Sequence, residues 1–166
     1  MLVPVTLRTF RASDLDALTA LALQAWEPVF DAWRAVLGEE LYALAYPDWH
    51  RSQAATVRTT CGGHPDTTLV AESDGRVVGF AVVVLGEVDN QGTRPADLEL
   101  IAVDPTAQGR GTGQRLLEAA LDLMRREGCA FANVWTGGDD GHASARSLYE
   151  RNGFTRLPVV HYYRAL

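Results

Sequence analysis

Leu100-Ile-Ala-Val-Asp-Pro-Thr-Ala-Gln-Gly-Arg-Gly-Thr-Gly-Gln114 runs from a short apolar strand into a glycine-rich turn. Helical spacing starts at once behind it, with Leu116, Leu117, Ala120, Leu121 and Met124 on one face. Gly109, Gly111 and Gly113 strip side chains from a stretch where several backbone N–H groups can point the same way. They also stand at a helix N-terminus, where unpaired donors and the helix dipole favour an anion. A strand, turn and helix in this order form a phosphate cradle.

Spacing separates the kinds of cradle. A nucleotide-triphosphatase loop places Lys-Ser or Lys-Thr after its last glycine, but Gln114-Arg115 follows here. A dinucleotide fingerprint needs glycines at positions one, three and six; counted from Gly109 the sixth residue is Gln114, and from Gly111 it is Leu116. What is left is Gln108-x-x-Gly111-x-Gly113 behind Val103-Asp104-Pro105. That resembles the coenzyme A pyrophosphate loop of the GCN5-related N-acetyltransferases. A second stretch, Ala145-Arg-Ser-Leu-Tyr149-Glu-Arg-Asn-Gly153-Phe154, is similar to the same family's Ala-x-x-Leu-Tyr-Glu-x-x-Gly-Phe near its C-terminus.

Composition sets the outer limits. The chain has 166 residues, the size of one domain over 1–166, and 47% hydrophobic with 22% charged content is ordinary for a globular protein. Its formal net charge is −6 and it has no lysine, all 15 basic residues being arginine. A general nucleic-acid surface needs a basic excess to displace counterions, so no nucleic-acid partner is expected. Cys61 and Cys129 are too few for a disulfide framework. The Met1–Arg8 stretch does not read as a signal peptide, and no apolar run approaches a membrane span, so a cytoplasmic protein with no membrane partner is expected.

The pattern along the chain predicts β-α-α-β-β-β-α-β-α-β-β. Strands are expected at Val3–Phe10, Thr67–Ser73, Arg76–Leu85, Asp97–Val103, Ala130–Trp135, Phe154–Leu157 and Val159–Leu166. Asp74-Gly75 is a two-residue hairpin signal. Ser13-Asp14 can cap a first helix, and Glu27–Gly63 keeps helical spacing with breaks at Pro28, Gly38 and Pro47. Further helices are expected at Gly111–Glu127 and about His142–Arg151. The fold class is α/β (mixed α+β): by resemblance an acetyltransferase-type fold, with a central, mostly antiparallel mixed sheet of about seven strands and helices on both faces.

The resemblance implies acetyl transfer from acetyl-CoA to a primary amine by direct attack in a ternary complex, without metal. Cofactor contacts then fall on Ile101, Ala102 and Val103, where the pantetheine arm would lie along the strand edge, and on Gln108, Gly109, Arg110, Gly111, Thr112, Gly113 and Gln114 around the diphosphate. An alkyl ammonium has a pKa of about 10 and must lose a proton before it can attack. Asp97 and Glu99 are the acidic candidates for that base, and because residues two apart on a strand share a face, Asp97, Glu99 and Ile101 are expected to point together. A backbone N–H near Ile101 or Ala102 could stabilise the oxyanion. Tyr149 is the candidate general acid for the departing thiolate. His142 stands where the family often has an Asn that steadies the pantetheine arm; it can donate a similar bond or act as the base.

Other features carry less. Cys61-x-x-His64 has metal-like spacing but no second pair nearby. Trp26, Phe30, Trp33, Tyr42, Tyr46 and Trp49 are expected in the core, with one or two reaching the acceptor, and His161 is expected to be packed. The acceptor could be a small molecule or a peptide amine. The final strands could pair in a homodimer. A catalytically silent acyl-CoA-binding module, or an acyltransferase with another acyl group or acceptor, stands as the alternative.

Overall fold

The computed structural model describes residues 4–166; Val3, where the first strand was expected to begin, lies outside them. The strands are β1 (Thr6–Thr9), β2 (Thr68–Ser73), β3 (Arg76–Leu85), β4 (Pro95–Val103) and β5 (Phe131–Asn133). The helices are α1 (Leu15–Leu37), α2 (Glu39–Ala45), α3 (Trp49–Gly63), α4 (Thr112–Arg126) and α5 (Ala143–Arg151). The sheet runs β1-β2-β3-β4-β5, antiparallel at every step except the parallel β4–β5 pair.

β3 reads as a continuous apolar run because it is covered on both faces. Phe80, Ala81, Val82 and Val83 are fully buried, and their side chains divide between two cores. On one face Ala81 and Val83 meet Leu116, Leu117 and Ala120 of α4; on the other Phe80 and Val82 meet Leu18, Leu21 and Ala22 of α1 with Val57 and Cys61 of α3. Gly79 permits the close approach of α4: a Cβ there would lie 3.0 Å from both the Ala102 carbonyl oxygen and Leu116 Cδ1. Asp74 and Gly75 both take positive φ, 52° and 70°, so the expected hairpin turn joins β2 to β3.

Three expectations change. Pro28 does not break the first helix, which continues to Leu37 and stops at Gly38 (φ 77°). Proline removes one amide donor from the helix interior. Buried residues on both sides of it, Leu21 and Ala22 before and Val29 and Phe30 after, hold the helix across the gap. Pro47 does mark a break, between α2 and α3, where Asp48 accepts a bond from the Arg51 N–H.

The sheet has five strands among the described residues, not about seven. Neither Phe154–Leu157 nor Val159–Leu166 forms a ladder, and Leu157, Val160 and Tyr162 are exposed. Apolar and aromatic runs are local, whereas a strand also needs a partner edge. Pro158 lacks a donor, and β5, three residues long where six were expected, offers little edge to pair with. The dimer edge expected from those strands is therefore absent.

A polar tie fixes the start of the fold. Arg8 on β1 bonds both carboxylate oxygens of Asp14 (2.8 and 2.9 Å) and, through Nε, Glu72 of β2 (2.9 Å). Asp14 also accepts from the Arg11 N–H at 2.8 Å. The Arg8 bonds hold the Asp14 carboxyl below its usual range, against the opposing effect of burial. A depressed folded value means the gain is complete above the unfolded pKa of about 3.9 and disappears as pH falls through the folded one. Asp14→Asn should therefore cost about 2–4 kcal/mol at pH 7, and the gap from the native chain should narrow by pH 3. Urea melts at the two pH values measure this; an equal gap at both would refute it.

Candidate functional site

β4 changes partners halfway along. On its outer side it pairs with β5 only at Pro95–Asp97, opposite Phe131–Asn133. From Leu98 to Val103 it keeps β3 on one side and has no strand on the other among the described residues. At the fork, Asn133 Nδ2 donates to Asp97 Oδ1 at 2.6 Å. Beyond it lies an open run of backbone donors and acceptors, which includes Ile101, Ala102 and Val103.

The register also shifts within β4. Val82 faces Leu100 while Val83 faces Leu98, leaving Glu99 as an extra residue in a β-bulge. The side-chain phase flips there. Ala96 and Leu98 join the α4-side core, Leu100 and Ala102 join the α1–α3 side, and Ile101 and Val103 pack toward α4. Asp97 and Ile101 thus point to opposite faces, against the expectation that both share a face with Glu99. Period-two counting fails across an inserted residue. Glu99 itself is exposed on the bulge.

The glycine loop is held by its own side chains. Asp104 accepts from the Thr106 hydroxyl (2.7 Å) and N–H (2.8 Å), and the hydroxyl bond above all, with the N–H, keeps its carboxyl below the usual range against the opposing effect of burial. Gln108 Nε2 donates to the Val103 carbonyl at 3.2 Å, closing the loop onto the strand end. Gly109 (φ 72°) and Gly111 (φ 80°) take left-handed backbone, and Gly111 caps α4. The amides of Thr112, Gly113 and Gln114 follow in the first turn, where α-helical geometry gives them no acceptor. Thr112 is buried, and its hydroxyl has no partner. Arg110 and Arg115, with Arg76 from β3, border a cavity of about 370 Å³ beside this helix start.

α5 is clamped to that same helix start. Gln114 Nε2 donates to Asn152 Oδ1 (2.7 Å) and Asn152 Nδ2 returns a bond to Gln114 Oε1 (2.9 Å). The side chain of Gln114, expected at the cofactor, is thus spent on holding the C-terminal end of α5. Tyr149 lies one turn back, its ring in the α4-side core and 5.6 Å from the Phe154 ring. Its hydroxyl has no hydrogen-bond partner among the described residues, and burial pushes its pKa up to about 12. His142, seven residues before Tyr149, stands at the N-cap of α5.

Sequence reasoning missed the surroundings of His142. Asp139 Oδ2 lies 2.8 Å from His142 Nδ1 and also accepts from Trp33 Nε1 of α1 at 3.0 Å. Arg146 holds the Gly137 and Asp139 carbonyls at 2.6 and 2.5 Å. Trp33 belongs to the aromatic group expected in the core. Phe30, Tyr42 and Trp49 are buried there, while Trp33 reaches out to the site. Tyr46 meets Tyr163 hydroxyl to hydroxyl at 2.6 Å; burial, with this contact, raises its pKa. His161 is exposed beside Tyr163 and not packed. Cys61 is buried, which pushes its thiol up to about 11. Among the described residues no three His, Cys, Asp or Glu side chains gather to hold a metal. No helix there is long and apolar enough to cross a membrane.

This architecture has known relatives. Residues 26–154 match the acetyltransferase (GNAT) family, and the chain belongs to that family. It is 31% identical over 159 residues to the uncharacterized N-acetyltransferase YhfO of Bacillus subtilis (strain 168), covering 95% of each chain. It is 28% identical over 166 residues to the mycothiol acetyltransferase of Rhodococcus erythropolis, covering 98% of this chain and 50% of that one. The chain spans half, or less, of the length of the mycothiol acetyltransferases it matches. In fold it is similar to the aminoglycoside N-acetyltransferase AAC(6')-Iy in complex with CoA, at TM-score 0.66 and 19% identity over 99% of this chain and 97% of that one. The PaiA N-acetyltransferase of Thermoplasma acidophilum in complex with coenzyme A also gives TM-score 0.66, at 21% identity over 92% of this chain and 90% of that one.

Two glycines of the loop should separate by their backbone. Gly111→Ala forces a left-handed alanine and should cost about 1–2 kcal/mol, with weaker coenzyme A binding. Gly113 is helical, and a Cβ there meets Leu148 and Val103 at an ordinary 3.7 Å. Gly113→Ala should leave stability unchanged or raise it by about 0.5–1 kcal/mol. Denaturant melts with calorimetric titration of coenzyme A check the pair; equal effects at both positions would refute the assignment.

Proposed function

We propose that this chain is an acetyl-CoA-dependent N-acetyltransferase that acts on a primary amine by direct attack in a ternary complex. The observation carrying this is the one-sided stretch of β4, Leu98–Val103, leading into the glycine-capped start of α4. An extended amide-bearing arm can pair with such an edge as an added strand does, and a diphosphate suits the bare amides at its end. Ile101, Ala102 and Val103 hold the arm; the backbone from Gln108 to Gly113 holds the diphosphate, with Arg110 adding charge from the cavity rim. The names of two relatives support an amine acceptor: the N-acetyltransferase YhfO of Bacillus subtilis, and the L-2,4-diaminobutyric acid acetyltransferase of Nocardia farcinica.

In the reaction the acceptor ammonium first gives up a proton. Its nitrogen then attacks the thioester carbonyl, the C=O π bond opens to an oxyanion, collapse breaks the C–S bond, and the nitrogen releases its second proton as it becomes the amide, a proton that returns through water to the Tyr149 oxygen. The oxyanion is met by a backbone N–H on the open edge, near Ile101 or Ala102. Tyr149 supplies the thiolate with a proton. Its raised pKa keeps the phenol protonated throughout the neutral range, as an acid must be before it acts. Asp97 Oδ1 accepts from Asn133 Nδ2 and Glu99 is exposed on the bulge, so either carboxylate would take the proton through water.

Tyr149→Phe should lower kcat by about 100-fold and leave the coenzyme A Kd within about threefold. An amine panel with acetyl-CoA, read by thiol release, supplies the assay, and calorimetry the affinity. Binding without turnover in the native chain would favour an acyl-CoA-binding module. In the native enzyme, no descending limb from Tyr149 should be seen below about pH 11.

A further inference from the structure

The geometry points to Asp139 as a positioning residue that makes His142 the base for the acceptor amine. This rests on the acetyltransferase reading above and names a residue that neither motif contains. Asp139 Oδ2 lies 2.8 Å from His142 Nδ1, and their side chains are 12% and 16% exposed. The same oxygen accepts the Trp33 indole N–H at 3.0 Å. An ionised carboxylate only accepts hydrogen bonds, so Nδ1 must carry the hydrogen and Nε2 is left as the free acceptor. Burial alone would push the Asp139 carboxyl up; the His142 and Trp33 bonds outweigh it, and the group lies below its usual range. Its second oxygen is buried without a partner. Charge arriving on the imidazole ring therefore meets a carboxylate with one oxygen still unpartnered.

The backbone is shaped around this pair. A Cβ on Gly137 would overlap both Asp139 Oδ2 and His142 Nδ1, and one on Gly141 would lie 2.8 Å from Val29 Cα of α1. Arg146 grips the two carbonyls of the turn from the α5 side. Charged groups at the turn include Asp139, the exposed Asp140 beside it, and Arg146 from α5. From α1 the turn meets the Trp33 ring, 5.9 Å from the imidazole, and the backbone of Pro28 and Val29, none of which titrates.

Position along α5 supplies the direction. The C-terminal end of the helix is clamped by Asn152 to the diphosphate loop, Tyr149 follows one turn away, and His142 stands at the far end. The diphosphate, the leaving thiol and the incoming amine must lie in that order along an extended carrier. His142 Nε2 takes one proton from the acceptor ammonium, whose lone pair then attacks; the Nδ1 hydrogen stays on Asp139.

Two measurements test this. In protein labelled with ¹⁵N-histidine, NMR should show neutral His142 with Nδ1 protonated and Nε2 bare, and Asp139→Asn should abolish that bias. In the amine assay, His142→Gln should lower kcat by about 100-fold, remove the acid limb of the kcat/KM profile, and leave the acetyl-CoA KM within about twofold. Asp139→Asn should lower kcat by tenfold or more, with KM equally unmoved. Trp33→Phe, which keeps the Asp139–His142 contact, should lose only a few-fold and serves if Asp139→Asn does not fold. A rise in acetyl-CoA KM rescued by His142→Asn would overturn the proposal, because His142 would then be steadying the carrier arm. An unbiased tautomer with full turnover would overturn it while leaving the acetyltransferase reading intact. Failure to bind coenzyme A, with the tautomer bias still present, would remove that reading, and the base role with it.

Discussion

Between Leu98 and Val103, β4 makes its ladder on one side only, and the other elements of the site are arranged around that open side. Exposed strand edges invite pairing with any chain that can offer matching donors and acceptors. Here the edge is short, begins at a single fork where Asn133 meets Asp97, and ends at the loop that starts α4. The parallel β4–β5 pair is what makes this possible. Both strands run the same way, so their separation opens toward the glycine turn.

Each flank of the opening is fixed by a different kind of contact. α4 is seated by close packing, with Gly79 letting Leu116 and Ala102 approach. α5 is seated by amide pairing between Asn152 and Gln114 at one end, and at the other by a turn lodged against α1. α1 therefore has two duties, since the helix that fills one face of the sheet with Leu18, Leu21 and Ala22 also sends Trp33 to Asp139. Its continuity through Pro28 is needed for the second of them.

Much of this was legible in the residues. The glycine turn, the hairpin at Asp74-Gly75, the Arg76–Leu85 strand and the α4 stripe follow from local chemistry and period, and each is found where the pattern places it. Tyr149 and the glycine loop were named from two motifs. The bulge at Glu99 left no mark, because an inserted residue changes which side chains share a face without changing the apolar run around it. The last two strands were read from local apolar and aromatic runs, which do not reveal whether a partner edge exists. Asp139 was hidden in Gly137-Gly-Asp-Asp-Gly141, a stretch with the composition of a solvated loop. Its partners, Trp33 and His142, are far from each other in the chain, so only the tertiary fold brings the three together.

Every cation on this molecule is a guanidinium, including Arg76, Arg110 and Arg115 around the cavity beside the α4 loop. Guanidinium groups stay charged at any physiological pH and do not act as nucleophiles toward thioesters, whereas a lysine beside a bound acyl donor can lose its proton and capture the acyl group. A member of an acyl-transferring family built this way offers its own donor no side-chain amine to modify.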